Sequence, residues 1–318
     1  MSNALEGEVW TISVSAIIKH LSCTLVAVSR GKRLRCPCPI FDRTYLIMPL
    51  PLATSASSLD IGGRTVLITG ATGGVGRPLA LACAAAGATV VLHGKVVRKL
   101  EVLYDEIIAA GGPEPTILPL DFQKAAAKDF ETVANAIGEQ LGRLDGVIHT
   151  ANLLGSLAPI EHQSFDTWLK VLRVDVAAAM AITRAMVPLL NASSDASVTF
   201  TLDTRGQSPR AYWGAYAAAK AGVSALAAIL ADEWENRANL RVNAVVPGPI
   251  NSPLRGMTHP GENRALLPRP EALVPLYLYL LRGQPKAESG AIIDATAWLA
   301  GQPASTPLVP PATDRGEP

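Results

Sequence analysis

The sequence predicts one doubly wound α/β domain, a parallel sheet of about seven strands with helices on both faces, over residues 59–300 of 318. Three observations predict it. Short runs rich in β-branched residues are apolar throughout rather than alternating, the pattern of strands covered on both faces. Longer Ala- and Leu-rich segments separate these runs. A glycine-rich turn joins the first run directly to the first long segment.

Taken in order, residues 65–69 form a buried strand and 75–86 a helix ended by Gly87. A strand at 89–93 is followed by a helix at 95–110, then a strand at 116–120 and a helix at 125–141. The strand 146–149 precedes a long helix at 165–190. A strand at 197–202, a helix at 213–237 and strands at 241–246 and 291–294 complete the set. Right-handed crossovers between parallel strands then give the doubly wound order. No internal repeat or second core is visible.

The ends stand apart from this pattern. Residues 1–58 read as an extension outside the fold, and 301–318, rich in Pro and polar residues, as a disordered tail. Lys19 and His20 split the apolar stretch 9–28 into runs too short to span a bilayer. Glu6 and Glu8 stand where a secretory signal would carry positive charge. Residues 1–47 hold six basic against three acidic groups, a net of +3, while the Pro- and Ser-rich leader after Met48 makes that methionine a candidate start.

Composition narrows the function. Apolar residues make up 49% and charged residues 17%, so a large core is available. A net charge of +1 gives no electrostatic case for nucleic acid or an anionic membrane as partner. Cys36-Pro37-Cys38 is too tight for a zinc knuckle and no His pair stands near it, so no metal site is expected. Scattered thiols without an export signal fit a cytoplasmic protein.

At the end of the first strand stands Thr69-Gly70-Ala71-Thr72-Gly73-Gly74-Val75-Gly76, opening into a helix. Glycines let a backbone turn sharply and approach a pyrophosphate, and the helix start supplies free N–H groups. The end of the second strand, where NAD enzymes place a carboxylate on the ribose, reads His93-Gly94-Lys95. With no acid there and Lys95 available to a 2′-phosphate, NADP(H) is favoured over NAD(H). Further on, Tyr216 and Lys220 share one helix face, one turn apart. A neighbouring ammonium lowers a phenol's pKa, which suits a proton donor to a developing alkoxide.

The glycine loop, Tyr216-x-x-x-Lys220 and Pro247-Gly248-x-x-x-Ser252, in this order, resemble the classical short-chain dehydrogenases/reductases, whose domain is of Rossmann type. The resemblance covers about residues 60–298 and is close in 144–154 and 213–250, where it points to a bacterial branch. It implies that Tyr216 is the acid/base and Lys220 its partner on the nicotinamide ribose. Asp121, with Phe122 beside it, would bind the adenine. Ala151 and Asn152 would lie along the cofactor, and Ile250 and Ser252 at the carboxamide. It further implies a small carbonyl or alcohol substrate and a homodimer or homotetramer. The glycine loop also resembles that of medium-chain quinone reductases, which carry a large catalytic domain ahead of it. Gly70, Gly73 and Gly76 fit the extended-family spacing as well, but the short C-terminal part favours the classical family.

Three departures from the family stand out. Its Asn-Asn-Ala-Gly appears as His149-Thr150-Ala151-Asn152, which puts a side chain near the nicotinamide. Its helix Asn appears as Asp175, a residue still able to hold a water. Its substrate-orienting Ser, thirteen residues before Tyr216, appears as Asp203. An ionised Asp203 would oppose an alkoxide, whereas a protonated one could donate as a hydroxyl does. The adjacent Thr204 would point away if the strand continues. Two functions therefore stay open: an NADP(H)-dependent oxidoreductase interconverting carbonyl and alcohol, and a nucleotide-binding pseudoenzyme acting as sensor or assembly subunit.

Overall fold

A computed structural model of the chain describes residues 60–282, 289–302 and 304–308. The expectations for residues 1–58 and the start at Met48 lie outside the described residues. Among the described residues eight strands form one sheet, in the order β3-β2-β1-β4-β5-β6-β7-β8. These are β1 (Thr65–Thr69), β2 (Thr89–Gly94), β3 (Thr116–Pro119), β4 (Gly146–His149), β5 (Ala196–Thr201), β6 (Leu240–Val246), β7 (Ala291–Asp294) and β8 (Ser305–Pro307). The first seven are parallel and only β8 runs antiparallel, along β7.

Every residue of β1, β4 and β6 is buried, as expected for strands covered on both faces. Val66, Leu67 and Ile68 are fully inaccessible, and each such side chain stabilises the fold by about 1.5–3 kcal/mol. One face of the sheet is covered by α1 (Gly76–Ala85), α2 (Val97–Ala109) and, further along the chain, a helix at Val274–Leu281. The other is covered by α3 (Ala127–Leu141), by a helix at Gly214–Glu233, on which α4 (Phe165–Leu172) packs, and by α5 (Ala178–Asn191), into which α4 continues. The stripes are the expected ones: Leu100, Leu103 and Ile107 face inward from α2, and Phe130, Ala134 and Ile137 from α3. The Asp129 carboxylate caps α3 by accepting the Ala126 N–H at 2.8 Å.

The structure departs from the expected elements in four places. The long helix after β4 is interrupted by a π turn at Arg173–Ala177. Between β5 and the Gly214–Glu233 helix the chain forms a short helix, α6 (Thr204–Gln207), which makes the latter α7. After β6 come α8 (Pro253–Thr258) and then α9, the Val274–Leu281 helix. Six of the eight α9 residues are buried, so it has no polar face to give a helical period. Finally, Ser305–Pro307 pairs with β7 and is not part of a disordered tail. An unpaired strand edge offers hydrogen bonds that even a polar, Pro-flanked segment can take.

Candidate active site

Thr69 ends β1 and pairs in register with His149, which ends β4. Beyond that pair β1 feeds a helix on one face and β4 feeds helices on the other, so a crevice opens between them. It forms the floor of a cavity of about 1030 Å³. Of the catalytic and cofactor-binding residues expected from the sequence, all but Gly76 and Asp175 line this cavity.

The glycine loop is shaped by its close approaches. Gly70 has φ +68°, and a Cβ there would sit 2.8 Å from the Ala151 backbone. A Cβ on Gly74 would come within 2.9 Å of Pro253, so α8 closes down on the loop at this point. Gly76 does not line the cavity. It is the buried first residue of α1, where any side chain would collide with the Gly70 carbonyl. Thr72, Gly73, Gly74 and Val75 thus present bare backbone at a helix start, a cradle that fits a dinucleotide pyrophosphate.

At the far end of the cavity His93, Lys95 and Lys99 stand with Asp121 and Phe122. His93 belongs to the scaffold. Its Nδ1 accepts the Gly70 N–H at 3.2 Å, its Nε2 faces the Leu120 carbonyl at 3.0 Å, and its ring stacks on Phe122. Burial pushes its pKa down to about 4, so it is neutral and braces the glycine loop. Asp121 Oδ1 accepts the Gln123 N–H, which tightens the turn after β3. Lys99, four residues beyond Lys95, was not singled out in the sequence.

At the β4 and β6 end of the cavity, Thr150 donates to the Thr69 carbonyl at 2.6 Å, tying the β4 turn to β1. The Asn152 side chain folds back to donate to the Thr150 carbonyl at 3.3 Å. Pro247 and Gly248 carry the chain out of β6 to the buried Ile250 and Ser252, and Ser252 Oγ caps α8 by accepting the Arg255 N–H. His149 is buried, stacked on Phe200, with Nε2 2.9 Å from the Thr183 hydroxyl. Burial, His93 and Lys220 push its pKa down to about 3.

Tyr216 and Lys220 lie on α7, one turn apart and both buried. Lys220 Nζ donates to the Thr201 carbonyl at 3.3 Å and lies 3.7 Å from Asp175 Oδ2. The π turn brings Asp175 inward, where Oδ1 accepts the Leu153 N–H at 2.7 Å. A cavity of about 10 Å³, the size of one water, adjoins Asp175, Lys220 and Thr201. Burial raises the Asp175 pKa to about 6, although Lys220 and the Leu153 N–H pull it down.

The Tyr216 hydroxyl donates to Asp203 Oδ2 at 3.1 Å, and Asp203 Oδ1 accepts the Arg205 N–H at 2.7 Å as the cap of α6. Burial, Asp203 and Asp175 together hold the phenol well above its ordinary value near 10. This reverses the lowering expected from the Tyr216/Lys220 pair. The ammonium is 5.6 Å from the tyrosine ring, while a carboxylate touches the hydroxyl itself. Because β5 stops at Thr201 and Asp203 caps a helix, Thr204 is exposed and also lines the cavity, so strand alternation does not govern its direction. Beyond Tyr216 the cavity is walled by Leu153, Leu154, Trp213, Met257 and His259, with the Arg205 guanidinium 4.9 Å above the Trp213 ring. The α8 contribution is side-chain shape brought in by a loop, and no sequence motif marks it.

Comparison with known proteins agrees with this geometry. Residues 64–263 match the family model described as short chain dehydrogenase. The chain is 36% identical over 235 residues to the oxidoreductase YciK of Escherichia coli K12, spanning 74% of this chain and 92% of that one. A short chain dehydrogenase of Escherichia coli CFT073, solved in complex with NADPH, is 36% identical with a TM-score of 0.72, over 74% of this chain and 98% of that chain. One from Salmonella enterica serovar Typhi is 36% identical with a TM-score of 0.73, over 76% and 99%. With sheet order, glycine cradle and Tyr–Lys helix all in place, the chain belongs to the classical short-chain dehydrogenase/reductase family of oxidoreductases, in a bacterial branch of it.

Proposed function

We propose that the chain is an NADP(H)-dependent oxidoreductase that interconverts a small carbonyl and an alcohol, with Tyr216 as acid/base and Lys220 as its partner. The observation that carries this is the buried Tyr216–Lys220 turn opening onto the same cavity as the glycine cradle. When bound, the dinucleotide supplies or accepts the two electrons. Lys220, fixed by the Thr201 carbonyl, holds the nicotinamide ribose, and the Tyr216 hydroxyl turns from Asp203 towards the substrate oxygen. Gly70, Thr72, Gly73, Gly74 and Val75 cradle the pyrophosphate, Asp121 and Phe122 bound the adenine, and Ala151, Asn152, Pro247, Gly248, Ile250 and Ser252 flank the nicotinamide. Lys95 and Lys99, with no acid at the end of β2, favour a 2′-phosphate. Relatives solved with NADP or NADPH support the same preference.

Titration with NADPH and NADH, followed by a carbonyl panel read through nicotinamide absorbance, tests the proposal. Tighter NADPH binding with turnover is expected, and binding of neither nucleotide would overturn it. One observation favours the pseudoenzyme reading: the Tyr216 hydroxyl is engaged by Asp203 and held above its ordinary pKa. Steady turnover that disappears in Tyr216→Phe would rule that reading out. Self-association belongs to the same proposal, through Phe165, Leu169, Met180 and Ile229, exposed apolar residues of α4, α5 and α7. Light scattering in solution checks it.

A further inference from the structure

Asp203 is bonded through each oxygen, to the Tyr216 O–H at 3.1 Å and the Arg205 N–H at 2.7 Å. On the other side of Lys220, Asp175 Oδ2 is buried without a hydrogen bond, 3.7 Å from the ammonium. The Tyr216 hydroxyl thus has one carboxyl group bonded to it, while a second, that of Asp175, lies against the neighbouring ammonium. Arg255 and His259 feel the Asp203 charge, but each is engaged by a group of its own. Arg255 is bonded through two nitrogens to Glu262, and the Arg205 guanidinium lies over Trp213. His259 Nδ1 sits 2.8 Å from the Thr258 hydroxyl. Reducing a C=O bond builds negative charge on oxygen, which a carboxylate at hydrogen-bond distance opposes. Reducing a C=N bond starts instead from an iminium cation, whose N–H donates to a carboxylate and whose charge that carboxylate stabilises.

Resting on the reading of the chain as a dinucleotide-dependent reductase, we propose that this site reduces C=N bonds, with Asp203 holding the iminium nitrogen. The apolar wall of Leu153, Leu154, Trp213 and Met257 selects imines with hydrocarbon flanks. In the step, the C=N π bond breaks and its electron pair becomes the nitrogen lone pair. A C–H bond forms at carbon with the two electrons given up by the reduced dinucleotide, which leaves oxidised. Nitrogen keeps its proton, so the product is a neutral secondary amine that takes a further proton from solvent.

The test pairs 3,4-dihydroisoquinoline with 1-tetralone, a ring-matched imine and ketone, on wild type and Asp203→Ser with NADPH. The wild type is expected to favour the imine in kcat/KM by at least about tenfold, and Asp203→Ser to reverse the order. A binding readout without cofactor accompanies it. The tetrahydroisoquinolinium cation should bind wild type at least about tenfold more tightly than Asp203→Ser by calorimetry, while neutral 1-tetralol binds both alike. Asp203→Asn, nearly isosteric and neutral, serves if the Ser variant does not fold, with the same expected loss of imine turnover and cation binding. Ketone turnover without imine turnover would overturn this proposal and leave the carbonyl reading standing. Turnover of neither, with NADPH bound, would overturn both. Equal cation binding by wild type and variant would also sink it.

Discussion

At the amino end of the sheet, Asp195 accepts two hydrogen bonds from Arg241, both at 3.0 Å, and Arg64 adds a third from 3.2 Å. Beside it Asp145 takes the Thr65 N–H, the Ser193 hydroxyl and the Arg143 guanidinium. Burial would raise the Asp195 pKa, but Arg241 and Arg64 outweigh it and hold the carboxyl below its ordinary range. At the carboxyl end, Lys220 lies 3.7 Å from Asp175, which is pushed up to about 6, and Tyr216, bonded to Asp203, is pushed upward too. Both ends enclose two acids. Where three arginines bond them, the charges fix strand ends in place; where Asp175 has one lysine and Asp203 bonds a phenol, proton affinities are left displaced upward, the condition for moving protons.

The largest expected effect breaks the carboxyl end. Tyr216→Phe should lower kcat/KM by about 10²–10⁴-fold, the usual contribution of a positioned acid, while NADPH affinity measured by fluorescence stays within about threefold. A drop in turnover of less than about tenfold would assign the proton to another group. The corresponding break at the amino end is Arg241→Met, which strips the two-bond partner from Asp195 and frees the Leu280 carbonyl. Arg241 is only 1% exposed, so urea unfolding should show a loss of about 3–5 kcal/mol. Asp203→Asn should change unfolding by less than about 1 kcal/mol, since it leaves no buried charge behind. Equal losses from the two substitutions would erase the distinction between the ends.

The two ends also differed in how far they could be read in the sequence. The carboxyl end is written in local motifs, because a glycine turn and an i,i+4 pair are fixed by backbone geometry within a few residues. Asp175 and Asp203 stood out there by their departure from a family pattern. What was misjudged is the lowering of Tyr216 by Lys220, since the distance from Lys220 to the ring and from Asp203 to the hydroxyl depends on a π turn and a helix cap. The amino-end network had no signal at all. Arg64, Asp145, Asp195 and Arg241 come from the starts of different strands, and only the sheet order brings them together. Helix α9 was missed because burial on all sides removes its periodicity, and β8 because its partner edge is formed by tertiary structure.

A smaller effect sharpens the comparison through pH. Asp175 is raised from 3.8 to about 6, so the folded state holds its proton more tightly than the unfolded chain. The stabilisation this gives is complete below about pH 4 and is lost as pH rises through about 6, the opposite of Asp195. Asp175→Asn, which cannot ionise, removes the loss. Relative to wild type, the variant's unfolding free energy should therefore climb by about 2–3 kcal/mol between pH 4 and pH 7 and stay level above that. A flat difference across that range would mean that Lys220 keeps Asp175 ionised throughout.

The smallest effect lies at the β2 end of the cavity, where two lysines stand in the lining. Lys95 and Lys99 line it at the end of β2, and His93 beside them is neutral and committed to the glycine loop. Both lysines are exposed, so water and salt screen them and each is worth less to binding than a buried partner. Replacing either by Ala should weaken NADPH by about tenfold or less and NADH by under about twofold, because only the former carries the 2′-phosphate. The loss should shrink as salt is raised from 50 to 500 mM, values bracketing Debye lengths of roughly 14 to 4 Å. If both nucleotides weaken equally and salt has no effect, the lysines support the fold of the α2 start and do not read the phosphate, and the cofactor preference must be sought elsewhere in the loop.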